Sequence, residues 1–245
     1  MGTILKEYRY TPTKIKRGYS GKSLYLNLTD LRFEQKEITD FMKEKLTGGK
    51  GFDLWYLWHA ITPETRWDSP ENEIVMSVGP LGGITQYSGT GKTVICSISP
   101  LTDIPIDSNV GGYFGPLLKF SGWDAFEIQG KSEKEILIFI DGNNGLIQVE
   151  DASEYPEDTH LLAEELTKKY AEDEDDMVNV SVACTGSGAK HSYMAMVNFS
   201  FYDPRRKVCR FKQAARGGLG TIMHDKKIKA LVVRYRGITP NLNDV

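Results

Sequence analysis

The stretch Ile136-Leu137-Ile138-Phe139-Ile140-Asp141-Gly142-Asn143-Asn144-Gly145-Leu146-Ile147-Gln148-Val149 decides the kind of fold. Two short runs of β-branched and aromatic residues flank Asp141-Gly142-Asn143-Asn144-Gly145, a composition that predicts strand, tight turn, strand. The same pattern extends in both directions. Upstream, residues 73–78, 93–98 and 125–128 are further short runs of this kind, separated by Gly, Asn, Pro and Asp. Residues 23–28 alternate like a strand, and Thr29-Asp30 opens a turn. Downstream, residues 178–183, 193–201 and 228–233 supply more strands.

Helical periodicity is confined to three places. Between 37 and 46, Ile38, Phe41, Met42 and Leu46 recur at helical spacing. Gly48-Gly49-Lys50-Gly51 interrupts, and 52–61 predicts a second, aromatic-rich helix ended by Pro63. The third helix is expected at 159–170, followed by the acidic run Glu172-Asp173-Glu174-Asp175-Asp176, which reads as a solvated loop. Strands and helices come in runs without βαβ alternation, which argues α+β. Residues 1–17 are basic and read as a tail, 18–237 as one domain, and 238–245 as a C-terminal tail.

Composition narrows the function. The chain has 245 residues, and 30 Lys and Arg against 33 Asp and Glu leave a formal charge of −3. That balance lacks the basic footprint of a nucleic-acid binder. No apolar run approaches the ~20 residues needed to span a bilayer. Cys96, Cys184 and Cys209 are too scattered for a disulfide framework or an iron–sulfur site, so a reducing cytoplasm is expected.

Two segments imitate a phosphate-binding loop. Ser88-Gly89-Thr90-Gly91-Lys92-Thr93 has Gln86 where the first glycine belongs, and it opens a strand rather than a helix. Gly18-Tyr19-Ser20-Gly21-Lys22-Ser23 fails in the same way, with Lys16 at that position. His59, His160, His191 and His224 show no metal-ligand spacing. What stands out is three glycine clusters: 79–83, 111–115 and 217–220. Lys92, Lys119, Lys212 and Arg216 lie near them in sequence. Glycines admit close main-chain approach to an anion, and cations complete a phosphate site. Glycines also make turns in strand-rich folds, and the pattern alone leaves both readings open.

Those clusters resemble the N-terminal domain of the aldehyde ferredoxin oxidoreductase family. The similarity runs in order through Arg17-Gly18-Tyr19-Ser20-Gly21-Lys22, Gly48-Gly49-Lys50-Gly51 and Ser69-Pro70-Glu71-Asn72 with Gly79-Pro80-Leu81. It continues through Ser99-Pro100-Leu101-Thr102, Asp107-Ser108-Asn109-Val110-Gly111-Gly112-Tyr113-Phe114-Gly115 and Leu118-Lys119-Phe120-Ser121-Gly122-Trp123-Asp124. Ala215-Arg216-Gly217-Gly218-Leu219-Gly220 closes it. The resemblance implies a strand-rich α+β domain of two twisted sheets with a few flanking helices. It also implies a tungsten or molybdenum bis-pterin cofactor whose phosphates are joined by magnesium.

By position, Lys92 and Lys212 would contact phosphate, and Asn109 and Gln213 would hold the magnesium hydration shell through main-chain carbonyls. Gly111 and Gly112 would let amides reach the phosphate, with Arg216 nearby. Both lysines stand where the family pattern has arginine, keeping charge but losing bidentate geometry. Residues 199–211 look like an insertion.

The family's [4Fe-4S] ligands and its acid/base residues lie in C-terminal domains beyond the matched region. A partner chain, or the missing domains, is therefore expected over the glycine-rich face, with an exposed apolar patch there. Electrons would leave indirectly to ferredoxin, and self-association is open. The implied reaction is aldehyde to carboxylate in anaerobic metabolism, and this chain alone is not expected to complete it. Three alternatives remain: a cofactor-free scaffold in a larger redox complex, part of a tungsten-dependent aromatic acyl-CoA reductase, or an independent small-ligand binder.

Overall fold

A computed structural model describes residues 2–238. In chain order its strands are β1 (Ile4–Arg9), β2 (Lys22–Asn27), β3 (Arg32–Glu37), β4 (Ile74–Ser77), β5 (Thr93–Ile98), β6 (Pro105–Val110) and β7 (Ala125–Gln129). Then come β8 (Ile136–Asp141), β9 (Leu146–Asp151), β10 (Val180–Cys184), β11 (Val197–Asp203), β12 (Val208–Ala214) and β13 (Ile228–Arg234). The helices are α1 (Asp40–Lys45), α2 (Lys50–Ala60), α3 (Phe114–Phe120), α4 (Thr159–Tyr170) and α5 (Leu219–Asp225).

The strands form a seven-stranded sheet, β1-β9-β8-β13-β10-β11-β12, and a six-stranded sheet, β3-β2-β7-β4-β5-β6. Both are mixed: β13 runs parallel to β8 and β2 parallel to β7, and the remaining pairs are antiparallel. The expected α+β architecture of two sheets with flanking helices is present.

Alternation along each strand sorts the layers. Ile136, Ile138 and Ile140 of β8 face the six-stranded sheet's Leu24, Leu26, Ile74, Met76 and Ile95 in one core, into which α3 and α5 insert Leu117, Leu118, Ile222 and Met223. The other face of β8, Leu137 and Phe139, packs under Leu162, Leu166 and Tyr170 of α4. Helices α1 and α2 cover the outer face of the six-stranded sheet through Met42, Phe52, Tyr56 and Leu57. Each such side chain, fully buried, contributes roughly 1.5–3 kcal/mol.

The quoted stretch folds as expected. Asp141 and Leu146 close the β8–β9 pair, and the Asp141 carboxylate accepts from the main-chain N–H of Asn143 at 3.1 Å and of Asn144 at 3.2 Å.

Two expectations need correction. Part of the 1–17 tail is strand β1, paired antiparallel with β9. Strand β1 satisfies main-chain groups that β9 would otherwise leave unpaired at its edge, and Leu5 and Tyr8 pack against the core. The acidic run is only partly solvated: Asp176 is fully buried and pairs with buried Arg234 at 2.7 Å. Burial pushes the Asp176 carboxyl up, but bonds from the Glu172 N–H, Asn179 and Arg234 outweigh it and hold the group below the usual range. Arg234 also reaches Glu172 at 2.5 Å and Asp141 at 3.5 Å. Residues 199–211 are most of the β11–β12 hairpin, and of the expected tail 238–245 all but Ile238 lie outside the described residues.

A candidate anion site at the seam of two sheets

Strand β6 is the last strand of one sheet and β12 the last of the other. They meet through the Ser108 hydroxyl, which donates to the Ala215 carbonyl and, at 3.4 Å, to that of Arg216. The chain then turns sharply, with Arg216, Gly217 and Gly218 all left-handed at φ 74°, 73° and 76°. Gly217 is required twice over, by its positive φ and by Ile106, whose Cδ1 would lie 2.3 Å from an added Cβ.

Around this seam Lys92 meets Asn109 and Lys212 meets Gly111, while Gln213 and Arg216 stand beside them along the chain with no side-chain bond to the others among the described residues. Lys92 immediately precedes β5, and its Nζ donates to Asn109 Oδ1 on neighbouring β6 at 2.9 Å. Lys212 reaches over from β12, and its Nζ lies 3.7 Å from where a Gly111 Cβ would be. Gly91 packs on the Gly112 carbonyl so closely that an added Cβ would sit 2.2 Å from it, while the space around Gly112 is open. Gln213, opposite Asn198 of β11, follows Lys212, and Arg216 follows Ala215. Lys92, Asn109, Lys212, Gln213 and Arg216 are all exposed. The two lysines therefore approach one short stretch of chain, Asn109 to Gly111, from different sheets.

Lys119 does not join them. It is fully buried, and its Nζ donates to the Pro80 carbonyl at 2.7 Å and the Gly79 carbonyl at 3.4 Å. Burial pulls its pKa down to about 8, partly countered by Asp124. Its role is to anchor the Gly79-Pro80 turn.

Neither Lys50 nor Asp107 carries a separate signal in the sequence. Lys50, at the start of α2, pairs with Asp107 of β6 at 2.6 Å, and Asp107 raises the lysine's pKa. Gly49 lies against Val94, placing this helix start beside Asn109, the β-partner of Val94. Beneath it, Asp53 is fully buried beside Cys96 and Ser77, and burial pushes its carboxyl well above the usual range. Gly48-Gly49-Lys50-Gly51 marked the turn, but only the fold shows which strand lies under it.

The donor set is two ammonium groups, accessible glycine main chain and strand-end carbonyls. Phosphate oxygens accept from the first two, and a hydrated hard cation accepts the third as ligand. No cysteine faces the site, since all three are buried and free. The set suits phosphates bridged by magnesium, as the resemblance implies.

Comparison with known proteins bears on the family of the chain and leaves the roles of these residues untouched. Residues 23–235 match the family described as the aldehyde ferredoxin oxidoreductase N-terminal domain. The chain is 32% identical over 224 residues to a tungsten-containing aldehyde ferredoxin oxidoreductase of Pyrococcus horikoshii, covering 89% of this chain and 33% of that protein. It is 26% identical to the WOR-like subunit of an aliphatic sulfonate oxidoreductase of Pyrococcus furiosus, covering 92% and 36%. The active-site complex BamBC of benzoyl coenzyme A reductase, solved with 1,5-dienoyl-CoA, superposes with a TM-score of 0.76 at 28% identity, covering 89% and 31%. The chain thus spans about a third of the length of these relatives. By the extent of the match, it belongs to the aldehyde ferredoxin oxidoreductase family, as an N-terminal domain of that family.

Proposed function

We propose that this chain cradles the phosphate end of a tungsten or molybdenum bis-pterin cofactor in an oxidoreductase completed by other domains or by a separate subunit. The observation that carries the reading is the approach of Lys92 and Lys212, from two different sheets, to Asn109 and Gly111. Lys92, Lys212 and Arg216 supply positive charge, Gly111 and Gly112 main-chain access, and Asn109 and Gln213 carbonyls for magnesium. The bound metal centre would supply two-electron chemistry on an aldehyde, with electrons leaving through a [4Fe-4S] cluster to ferredoxin. This chain's own residues bind and orient that group.

Exposed apolar side chains support a covering partner. Leu81, Tyr87 and Tyr113 stand on the glycine-rich loops, Leu101 and Ile104 before β6, and Tyr193 and Met194 before β11. The likeness to BamBC favours a second reading of the same site, reduction of an aromatic acyl thioester.

The test is elemental analysis of the protein purified anaerobically from its own host with its partners. Tungsten or molybdenum near one per chain is expected, with the pterin lost when Lys92→Ala and Lys212→Ala are combined. Each charged contact contributes on the order of 1.5–3 kcal/mol, so single changes weaken rather than abolish binding. Full retention in the double variant refutes the residue assignment. Partners present without either metal would select the scaffold reading.

A further inference from the structure

The outer face of the six-stranded sheet holds a second polar cavity, of about 280 Å³, lined by none of the seam residues. Two glutamates lie side by side in it, Glu73 at 2% exposure just before β4 and Glu127 at 1% on β7. Glu127 is fully engaged: the Ser23 hydroxyl donates to Oε1 at 2.7 Å, and the Lys36 ammonium pairs with Oε2. That ammonium also lies 4.5 Å from the Tyr25 ring centroid and 5.5 Å from that of Tyr56. The cavity therefore already holds one alkylammonium group, the protein's own, between a carboxylate and two aromatic faces.

Its second carboxylate has no such partner. Glu73 Oε2 and the Tyr56 hydroxyl are buried with no hydrogen-bond partner, and the Ser23 hydroxyl beside Tyr56 is committed to Glu127. Buried acceptors left unpaired cost free energy, and a donor entering the cavity would relieve it. Among the described residues no group of three His, Cys, Asp or Glu could hold a metal ion.

We propose that this cavity binds a small primary alkylammonium ligand, its head donating to Glu73 Oε2 and lying beside the Tyr56 hydroxyl, and its methylene chain resting on the tyrosine rings. This site is separate from the seam and does not depend on the cofactor reading.

Glu73 is faced by Glu127 of β7, Lys36 of β3, Tyr56 and His59 of α2, and more remotely by Lys226, with Arg32 and Glu34 of β3 on the cavity wall. Burial, then repulsion by Glu127, push its carboxyl up to about 8, against the pull of Lys36 and Lys226. At pH 7 it carries a proton that an incoming ammonium displaces.

The experiment is calorimetric titration of the full chain with butylammonium chloride at pH 7, in phosphate and in MOPS, whose ionisation heats differ. Saturable one-site binding is expected, with release of about one proton per ligand. Glu73→Gln should abolish the release and weaken binding about tenfold or more. Tyr56→Phe should weaken binding a few-fold with the release retained, and it keeps the test valid if the first variant does not fold. No saturable heat at millimolar amine overturns the proposal. So does binding that both variants leave intact, which would place the amine on surface carboxylates.

Discussion

Replacing Lys119 with methionine tests the buried lysine under the Gly79-Pro80 turn. The side chain is fully buried and touches carbonyl oxygens, so its charged form is penalised by lost hydration. Its pKa falls from the ordinary 10.5 to about 8. Since each pKa unit corresponds to ~1.4 kcal/mol, the gap corresponds to ~3 kcal/mol of pH-dependent stability. The folded pKa lies below the unfolded one, so between the two the unfolded chain binds more protons. Stability contributed by this group therefore rises with pH from about 8 towards 10.5. Methionine has no proton to lose. The stability difference between wild type and Lys119→Met should shift by roughly 2–3 kcal/mol in favour of wild type between pH 7 and pH 10. Urea unfolding followed by the fluorescence of buried Trp123 measures it at each pH. Taking the difference between the two proteins cancels the opposing contribution of Glu73 and the similar one of Lys226. Parallel pH profiles would refute the argument, because they would mean that the lysine keeps an ordinary pKa in the folded protein.

Three further outcomes are expected. Arg234→Met leaves Asp176 buried without its cation and should cost about 3–5 kcal/mol, read from the urea midpoint. Gly217→Ala forces a left-handed residue against Ile106 and should destabilise by about 1–3 kcal/mol, with faster amide exchange around Ala215 marking the loosened seam. Leu5→Ala should lower stability by about 1–3 kcal/mol, because β1 is packed on the core; an unchanged urea midpoint would mean that the segment behaves as a free tail.

Where a segment's pattern is local, it was legible. The β8–β9 hairpin needs only its own two runs and its turn, and α4 spans the expected residues, capped by Asp158, whose carboxylate accepts from His160 and Leu161 N–H groups. Edge strands were not legible. A register irregularity between Ile4 and Lys6 breaks the alternation of β1. In Arg32–Glu37 only Phe33 is apolar, so β3 shows no buried face in sequence. Strand β6 opens with a proline, a residue tolerated at sheet edges, and α3 carries Gly115 and Pro116 in its first turn. The site positions came from the family resemblance; residue pattern alone left phosphate binding and simple turns equally open. In sequence Lys119 reads as one more free cation, because burial is not written in a Leu-Lys-Phe run. The polar cavity at Glu73 and Glu127 was unreadable for the same reason, since the two glutamates are brought together only by the β4–β7 pairing.

The Ser108–Ala215 contact joins residues 107 positions apart. During synthesis, β5 and β6 emerge long before β12, so Lys92 and Asn109 wait without their opposite wall until nearly the whole domain has left the ribosome. A nascent or truncated chain would lack half of the proposed phosphate site, so under that reading loading reports on finished folding. The dependence runs in reverse as well: a ligand gripping Lys92 and Lys212 together ties one sheet to the other, and at concentrations far above its dissociation constant would hold both margins closed. Empty chains should therefore open first along that margin, ahead of either sheet.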